Sequence, residues 1–173
     1  IICNSKIKIK KILISPRNRT LSQKLSKKFK QVKIAKNNEE IVDKSNWIFL
    51  AVTPTVGQKI ISKLRFKTKQ TIISLISTIT LPDLKKMIKV KASIIRAIPL
   101  PPIALKKGPI PIYPPNKKIK AFFDQIGSTI EIKNEKLSKN FWSISGMMAS
   151  YYEILNVMSN WLVKKGIKRL DAQ

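Results

Sequence analysis

Three segments of the chain share one pattern of apolar and small residues. Residues 47–54 (WIFLAVTP), 71–80 (TIISLISTIT) and 92–102 (ASIIRAIPLPP) each begin as a β-branched or aromatic run and end in small or turn-forming residues. The first two lead into stretches of helical period: Val56, Ile60, Ile61 and Leu64, then Leu81, Leu84 and Ile88. Apolar runs that alternate with helical patterns predict parallel strands buried on both faces, with a ligand site at the strands' carboxyl ends. The same alternation holds on either side. Before it come a strand over 11–15, a helix N-capped by Thr20 with Leu21, Leu25 and Phe29 as one buried stripe, and a strand over 32–34. A short helix over 39–44 follows, capped by Asn38, with acidic residues where the dipole favours them. Thr80 is expected to cap the helix that carries Leu81, with Asp83 answering it and Pro82 in the first turn. Beyond the Pro-rich 99–102 come a strand over 110–113, a helix over 117–126 capped by Asn116 and ended by Gly127, and a strand over 129–132. Ile119, Phe122, Phe123 and Ile126 mark that helix's inner face.

From about residue 137 the period changes. One Pro-free helical stretch runs to Lys165 and stops at Gly166, and apolar residues such as Phe141, Met148, Tyr151, Leu155, Met158 and Trp161 cover much of its circumference. A helix that apolar is expected to be buried on several sides, as a connector into a helical domain or against a dimer partner. The fold class predicted is therefore α/β, a Rossmann-type parallel sheet flanked by helices over 1–133. The first long helix of an all-α dimerisation domain follows over 134–173.

Composition narrows the function classes. A hydrophobic content of 43% supports a packed core, and no apolar run reaches the roughly 18–20 residues of a membrane span. Histidine is absent and Cys3 is the lone cysteine, which removes His-based triads, disulfide frameworks and zinc sites and fits a reducing, cytoplasmic compartment. Thirty-five Lys and Arg against nine Asp and Glu give a net charge of +26, which suggests a polyanion partner. The lysines, however, are spread over nearly every segment, and the 7% of aromatics form no stacking platform. The charge reads as decoration of solvent faces, with no specific nucleic acid and no membrane as partner; a basic RNA-binding module is the alternative. The sequence opens at Ile1 rather than Met, so the natural N-terminus is expected upstream.

Candidate chemistry lies in the turns. In a dinucleotide-binding fold, the loop after the second strand meets the adenosine ribose, where an acidic residue selects NAD. Ser15, Arg17, Asn18 and Arg19 stand there without an acid, and guanidinium groups suit a 2′-phosphate. The other reading is a basic surface turn. Ala51, Val52, Thr53 and Pro54 place a small residue and a fixed φ beside the crevice, or form an ordinary strand-to-helix turn. Ser145 and Gly146 allow close approach to a helix backbone by a ligand or by another helix. No G-x-G-x-x-G turn is present, and the first strand with its phosphate loop is expected to lie outside this sequence.

In this order the segments resemble pyrroline-5-carboxylate reductases. Residues 12–20 (ILISPRNRT) look like that family's second strand and NADP-selecting loop, and Asn38 in 36–42 (KNNEEIV) matches its cofactor-contacting Asn. Residues 49–54 (FLAVTP) resemble A-V-K-P with Thr53 in place of Lys, 73–81 (ISLISTITL) resemble S-x-A-A-G-I-T-L, and 94–102 (IIRAIPLPP) resemble V-R-x-M-P-N-T-P. Residues 145–151 (SGMMASY) stand where the family has S-G-S-G-P-A-Y. The resemblance implies hydride transfer from NADPH to the C=N carbon of 1-pyrroline-5-carboxylate, giving L-proline, and a homo-oligomer held by the C-terminal helices. It implies that Leu75, Ile76 and Ser77 join 51–54 in lining the cofactor, and that Ser145 and Gly146 lie near the substrate. No residue is assigned as catalytic. Leu100 and Pro101 replace the family's Asn-Thr pair, and Met147, Met148 and Ala149 replace its Ser, Gly and Pro. A divergent NAD(P)-dependent imine or ketone reductase is the second reading.

Overall fold

The computed structural model describes residues 2–173; for Asn4, Lys139, Trp142, Ile144 and Ser145 only the backbone is described. The chain divides into two compact units, Ile1–Glu135 and Lys136–Gln173.

The first unit alternates strands and helices: β1 (Ile12–Ile14), α1 (Arg19–Lys28), β2 (Val32–Ile34), α2 (Asn38–Lys44), β3 (Trp47–Leu50), α3 (Pro54–Ile60), β4 (Thr71–Ser74), α4 (Leu81–Ile88), β5 (Ser93–Ala97), β6 (Pro109–Tyr113), α5 (Lys117–Phe123) and β7 (Ser128–Glu131). The fold class is the expected one, a parallel-dominated sheet flanked by helices, with two differences in the sheet. First, the strands form two ladders, β1-β2 and β3-β4-β5-β6-β7. The segment before β1 packs Ile2, Ile7 and Ile9 into the same apolar cluster as Trp47 and Phe49. Second, β6 runs antiparallel to β5, whereas every other pair is parallel. The connection between them carries only a 3-10 turn, Pro101–Leu105. Without a crossover helix, the chain can only fold back beside the strand it has left.

Alternation along the buried strands divides the core in two. Ile48, Leu50, Ile72 and Ile94 pack with Leu81, Leu84 and Ile88 of α4 on one face. Ile73, Ile95 and Ala97 pack with Ile119, Phe122 and Phe123 of α5 on the other. On β4, Ile72, Ile73 and Ser74 are all fully buried, as a central strand with no solvent face requires.

Helix ends follow capping chemistry, which moves two of the expected starts. Asn18, not Thr20, caps α1 by accepting from Leu21 N–H at 3.0 Å. Asn37, not Asn38, caps α2 by accepting from Glu40 N–H at 2.9 Å. The amide oxygen is a stronger cap in the first case, and in the second an Asn-Asn pair offered two registers. Thr80 and Asn116 cap α4 and α5 as expected. On α1, Ser22 is the buried residue while Leu21 is 51% exposed, so the Leu21 stripe does not form the inner face. Ile61 and Leu64 do not continue α3, which gives way to a 3-10 turn over Ile61–Lys63. Helix α5 ends at Phe123, before Gly127. Gly127 serves packing instead: a Cβ there would lie 2.8 Å from Ile110 Cδ1 and 2.9 Å from Gly108 O.

From Glu135, the last residue of the first unit, the single long helix expected is two, α6 (Glu135–Gly146) and α7 (Met148–Lys164), with Met147 between them. Gly166 terminates α7 at φ 96°, as its backbone freedom allows. The expected burial of α7 does not occur within the chain: Tyr151, Ile154, Val157, Met158 and Trp161 are more than half exposed.

Candidate functional site

Because β3, β4 and β5 are adjacent and parallel, their carboxyl ends lie on one edge. Three turns leave that edge: 51–53 before α3, 75–80 before α4, and 98–102. The β3 turn is open. Ala51, Thr53 and Pro54 are exposed and Val52 is half-buried against the core. Thr53 is the N-cap of α3, but its side chain makes no capping hydrogen bond. Pro54 starts the helix, where its lacking N–H costs nothing.

The β4 turn is more tightly built. The strand ends at Ser74, two residues earlier than its apolar run, because the Ser74 hydroxyl accepts from Ile76 N–H at 3.3 Å and turns the chain. Leu75 N–H still reaches Leu50 O at 3.1 Å, tying this turn to the one beside it. The Ile76 side chain belongs to the core at 2% exposure, so only its main chain remains for a ligand, whereas Ser77 is exposed. Gly57 of α3 lets that turn come close: a Cβ at Gly57 would stand 3.0 Å from Ile76 Cδ1.

A buried cation sits behind this turn. Arg96 on β5 is only 5% exposed. One of its terminal nitrogens, Nη2, donates to Ser77 O at 2.6 Å, and the other, Nη1, pairs with the Glu135 carboxylate. The same carboxylate oxygen accepts from Leu81 N–H, the first residue of α4, at 2.8 Å. Thr80 Oγ1 meets Asp83 N–H at 3.3 Å and donates to Asp83 Oδ2 at 2.6 Å. Two carboxylates thus occupy the start of α4, which leaves no place for an anion there. Residue-by-residue reading of the sequence did not single out Arg96 or Glu135. A lone cation inside the apolar run IIRAI was the available signal, but its partner lies 39 residues away.

The β1-β2 ladder carries the remaining predicted residues. These strands are also parallel, so the turn 15–18 and the start of α2 leave one edge of that ladder. Ser15 is half-buried and its hydroxyl accepts weakly from Arg17 N–H at 3.4 Å. Arg17 and Arg19 are exposed, and among the described residues neither forms an ion pair. The Asn18 oxygen is engaged in capping α1, which leaves its NH2 as the donating end. Asn38 is half-buried at the first position of α2. Nearby, Glu40 accepts from Lys36 N–H at 2.6 Å and Lys44 Nζ at 2.7 Å. These bonds, that of Lys44 foremost, hold its carboxyl below the ordinary value.

The structure therefore brings 51–54 together with 75–77, and Ser15–Arg19 together with Asn38. Gly146 ends α6, exposed, with nothing within 4 Å of where its Cβ would be, and the Ser145 side chain lies outside the described residues. Among the described residues, no three His, Cys, Asp or Glu cluster as metal ligands, and no helix is long and apolar enough to cross a membrane.

The family model for coenzyme F420-dependent NADP oxidoreductases matches residues 3–78, which hold both sets of turns up to the β4 turn. No curated protein matches the chain. Among solved structures, the Plasmodium falciparum pyrroline carboxylate reductase with NADP bound superposes with a TM-score of 0.79 at 21% identity, over 99% of this chain and 66% of that one. The 1-pyrroline-5-carboxylate reductase of Streptococcus pyogenes gives 0.76 at 20%, over 94% and 64%. That of Coxiella burnetii gives 0.73 at 21%, over 93% and 63%. The chain has the fold of these reductases, as its motif order suggested, and it spans just under two thirds of their length.

Proposed function

We propose that the chain is the nucleotide-binding unit and the start of the helical unit of an NADPH-dependent reductase. The reaction inferred is reduction of 1-pyrroline-5-carboxylate to L-proline, in the cytoplasm. The observation that carries this reading is the edge formed by β3, β4 and β5, where an open turn at 51–54 and a braced turn at 75–77 stand side by side. The donor set fits the cofactor. Arg17 and Arg19, exposed beside Asn18, are suited to the 2′-phosphate, and Asn38 supplies an amide at the neighbouring turn. The main chain of Ala51, Val52 and Ile76 and the hydroxyls of Thr53 and Ser77 are the groups available along the crevice. NADPH, when bound, supplies the hydride that a C=N carbon receives. An iminium carbon is already electrophilic, so the protein's own part is to orient two reactants and hold the substrate carboxylate, which suits a site without histidine. The substrate residues proposed, Ser145 and Gly146, belong to the helical unit.

The homo-oligomer proposed would cover α7, whose Ala149, Ser150, Glu153, Ile154, Val157 and Met158 line a shallow, mostly apolar depression. Leu100 and Pro101 favour a second reading. They put apolar groups at the third turn where polar ones would hold an amino-acid-like substrate, as suits a reductase of a different small imine or ketone. Titration with NADPH followed by fluorescence, at moderate salt, tests the cofactor assignment; absence of saturable binding refutes it. Turnover of 1-pyrroline-5-carboxylate against a panel of cyclic imines and ketones separates the two substrate readings. RNA binding that persists at physiological salt would instead favour the basic-module alternative.

A further inference from the structure

We propose that Arg96 is a positioning residue that sets the shape of the β4 turn and couples it to the first residue of α6. The inference rests on that turn lining the cofactor crevice. Arg96 lies opposite Ser74 in the β4-β5 ladder, so its backbone is fixed in register beside the residue where β4 ends. From there its side chain spans two partners that belong to different elements: the Ser77 carbonyl in the turn, and Glu135, which opens α6. Glu135 in turn accepts from the Leu81 N–H, so one carboxylate joins the guanidinium to the start of α4. The turn 75–80 is thereby held from both ends, by Ser74 and Leu50 on the strand side and by Arg96 and Glu135 on the helix side.

Arg96 Nε is buried with no hydrogen-bond partner among the described residues. A guanidinium kept there with one donor unmet is a poor source of net stability, because removing it from water costs more than an imperfect pair returns. What the arrangement supplies is geometry: a planar fork whose two terminal nitrogens fix Ser77 O relative to Glu135. A lysine has one ammonium and cannot hold both partners in that plane.

The test uses the full chain with Arg96→Lys, Arg96→Met and Glu135→Gln, read by amide hydrogen exchange and by NADPH titration. In Arg96→Met, exchange at Ser77–Leu81 is expected to accelerate about tenfold or more relative to the β3 and β4 core amides. NADPH affinity should fall about tenfold with it. Arg96→Lys should lie between wild type and Arg96→Met. Glu135→Gln, which keeps an acceptor for both donors, should be the mildest. Should Arg96→Met fail to fold, Arg96→Lys carries the same comparison. Uniform acceleration of the turn and the core, or unchanged exchange at the turn, overturns the proposal. Should NADPH bind neither wild type nor variants, the cofactor assignment fails, while the exchange pattern still decides whether Arg96 holds the turn.

Discussion

Gln70 is a buried amide whose removal should destabilise the first unit more than any exposed charge does. It stands one residue before β4 at 4% exposure. Its Nε2 donates to Val42 O at 2.5 Å and Ser45 O at 2.9 Å, and its Oε1 accepts from Lys67 N–H at 2.8 Å. These bonds tie the corner between α2 and β3 to the start of β4, next to the Thr71 N–H to Asn46 O bond that begins the β3-β4 pairing. Gln70→Leu is apolar and of similar bulk, though it branches one carbon earlier, so it opens little cavity, but it removes three hydrogen bonds at about 1 kcal/mol each and leaves the Val42 carbonyl buried without a donor. A gain in apolar burial offsets part of this, for a net loss of about 3 kcal/mol. That is a large share of a stability of about 5–15 kcal/mol, and it should lower the melting temperature by about 6–12 °C. Urea unfolding of the full chain, followed by circular dichroism, measures it. Gln70→Glu sharpens the test, since a carboxylate facing two carbonyls is repelled unless protonated. Its folded-state pKa must rise, so the variant should regain stability relative to wild type as pH falls towards 5. A loss below about 1 kcal/mol for Gln70→Leu, or no pH-dependent recovery in Gln70→Glu, would refute the reasoning.

Four further outcomes are expected. Replacing Arg17 and Arg19 with Ala should weaken NADPH binding about tenfold or more while leaving NADH binding nearly unchanged, measured by paired fluorescence titrations; equal losses for both would exclude a role at the 2′-phosphate. Gly127→Ala should cost about 1–3 kcal/mol in urea unfolding, because its Cβ would meet Gly108 O at 2.9 Å; a neutral variant would mean that the Gly108 backbone yields freely. Glu40 should titrate below its ordinary 4.5 by NMR, and Lys44→Ala should raise its midpoint. A depressed acid contributes stability above its unfolded pKa and loses it as pH falls through the folded one, so the α2 start should loosen only below about pH 4.5. Trp161→Asp should reduce the mass found by light scattering if a second copy covers α7, where Trp161 is 58% exposed; an unchanged mass would remove α7 from the interface.

The run of elements and their polarity is legible in the amino-acid sequence. Unbroken apolar stretches such as TIIS have no solvent face, which demands a central strand, and Thr80 and Asn116 announce helix starts through side chains that reach only three residues along. Those signals are local, and so is the placement of the turn at 51–54, whereas the β4 turn begins at Ser74, two residues before its apolar run ends. Local chemistry left open the choice between Asn37 and Asn38, and between Asn18 and Thr20, since each pair offers two workable caps within two residues. The rest depends on contacts between residues far apart in the chain. The antiparallel return of β6 depends on what an eleven-residue connection between Ala97 and Pro109 can span. Gly127 is a packing contact because Ile110 and Gly108 O approach it from another strand and turn. Gln70 meets Val42 and Ser45, and Arg96 meets Ser77 and Glu135, at separations of 19 to 39 residues, at which no sequence pattern links donor to acceptor. The turn that began as the end of an apolar run is thus shaped by a guanidinium and a carboxylate that folding alone brings together.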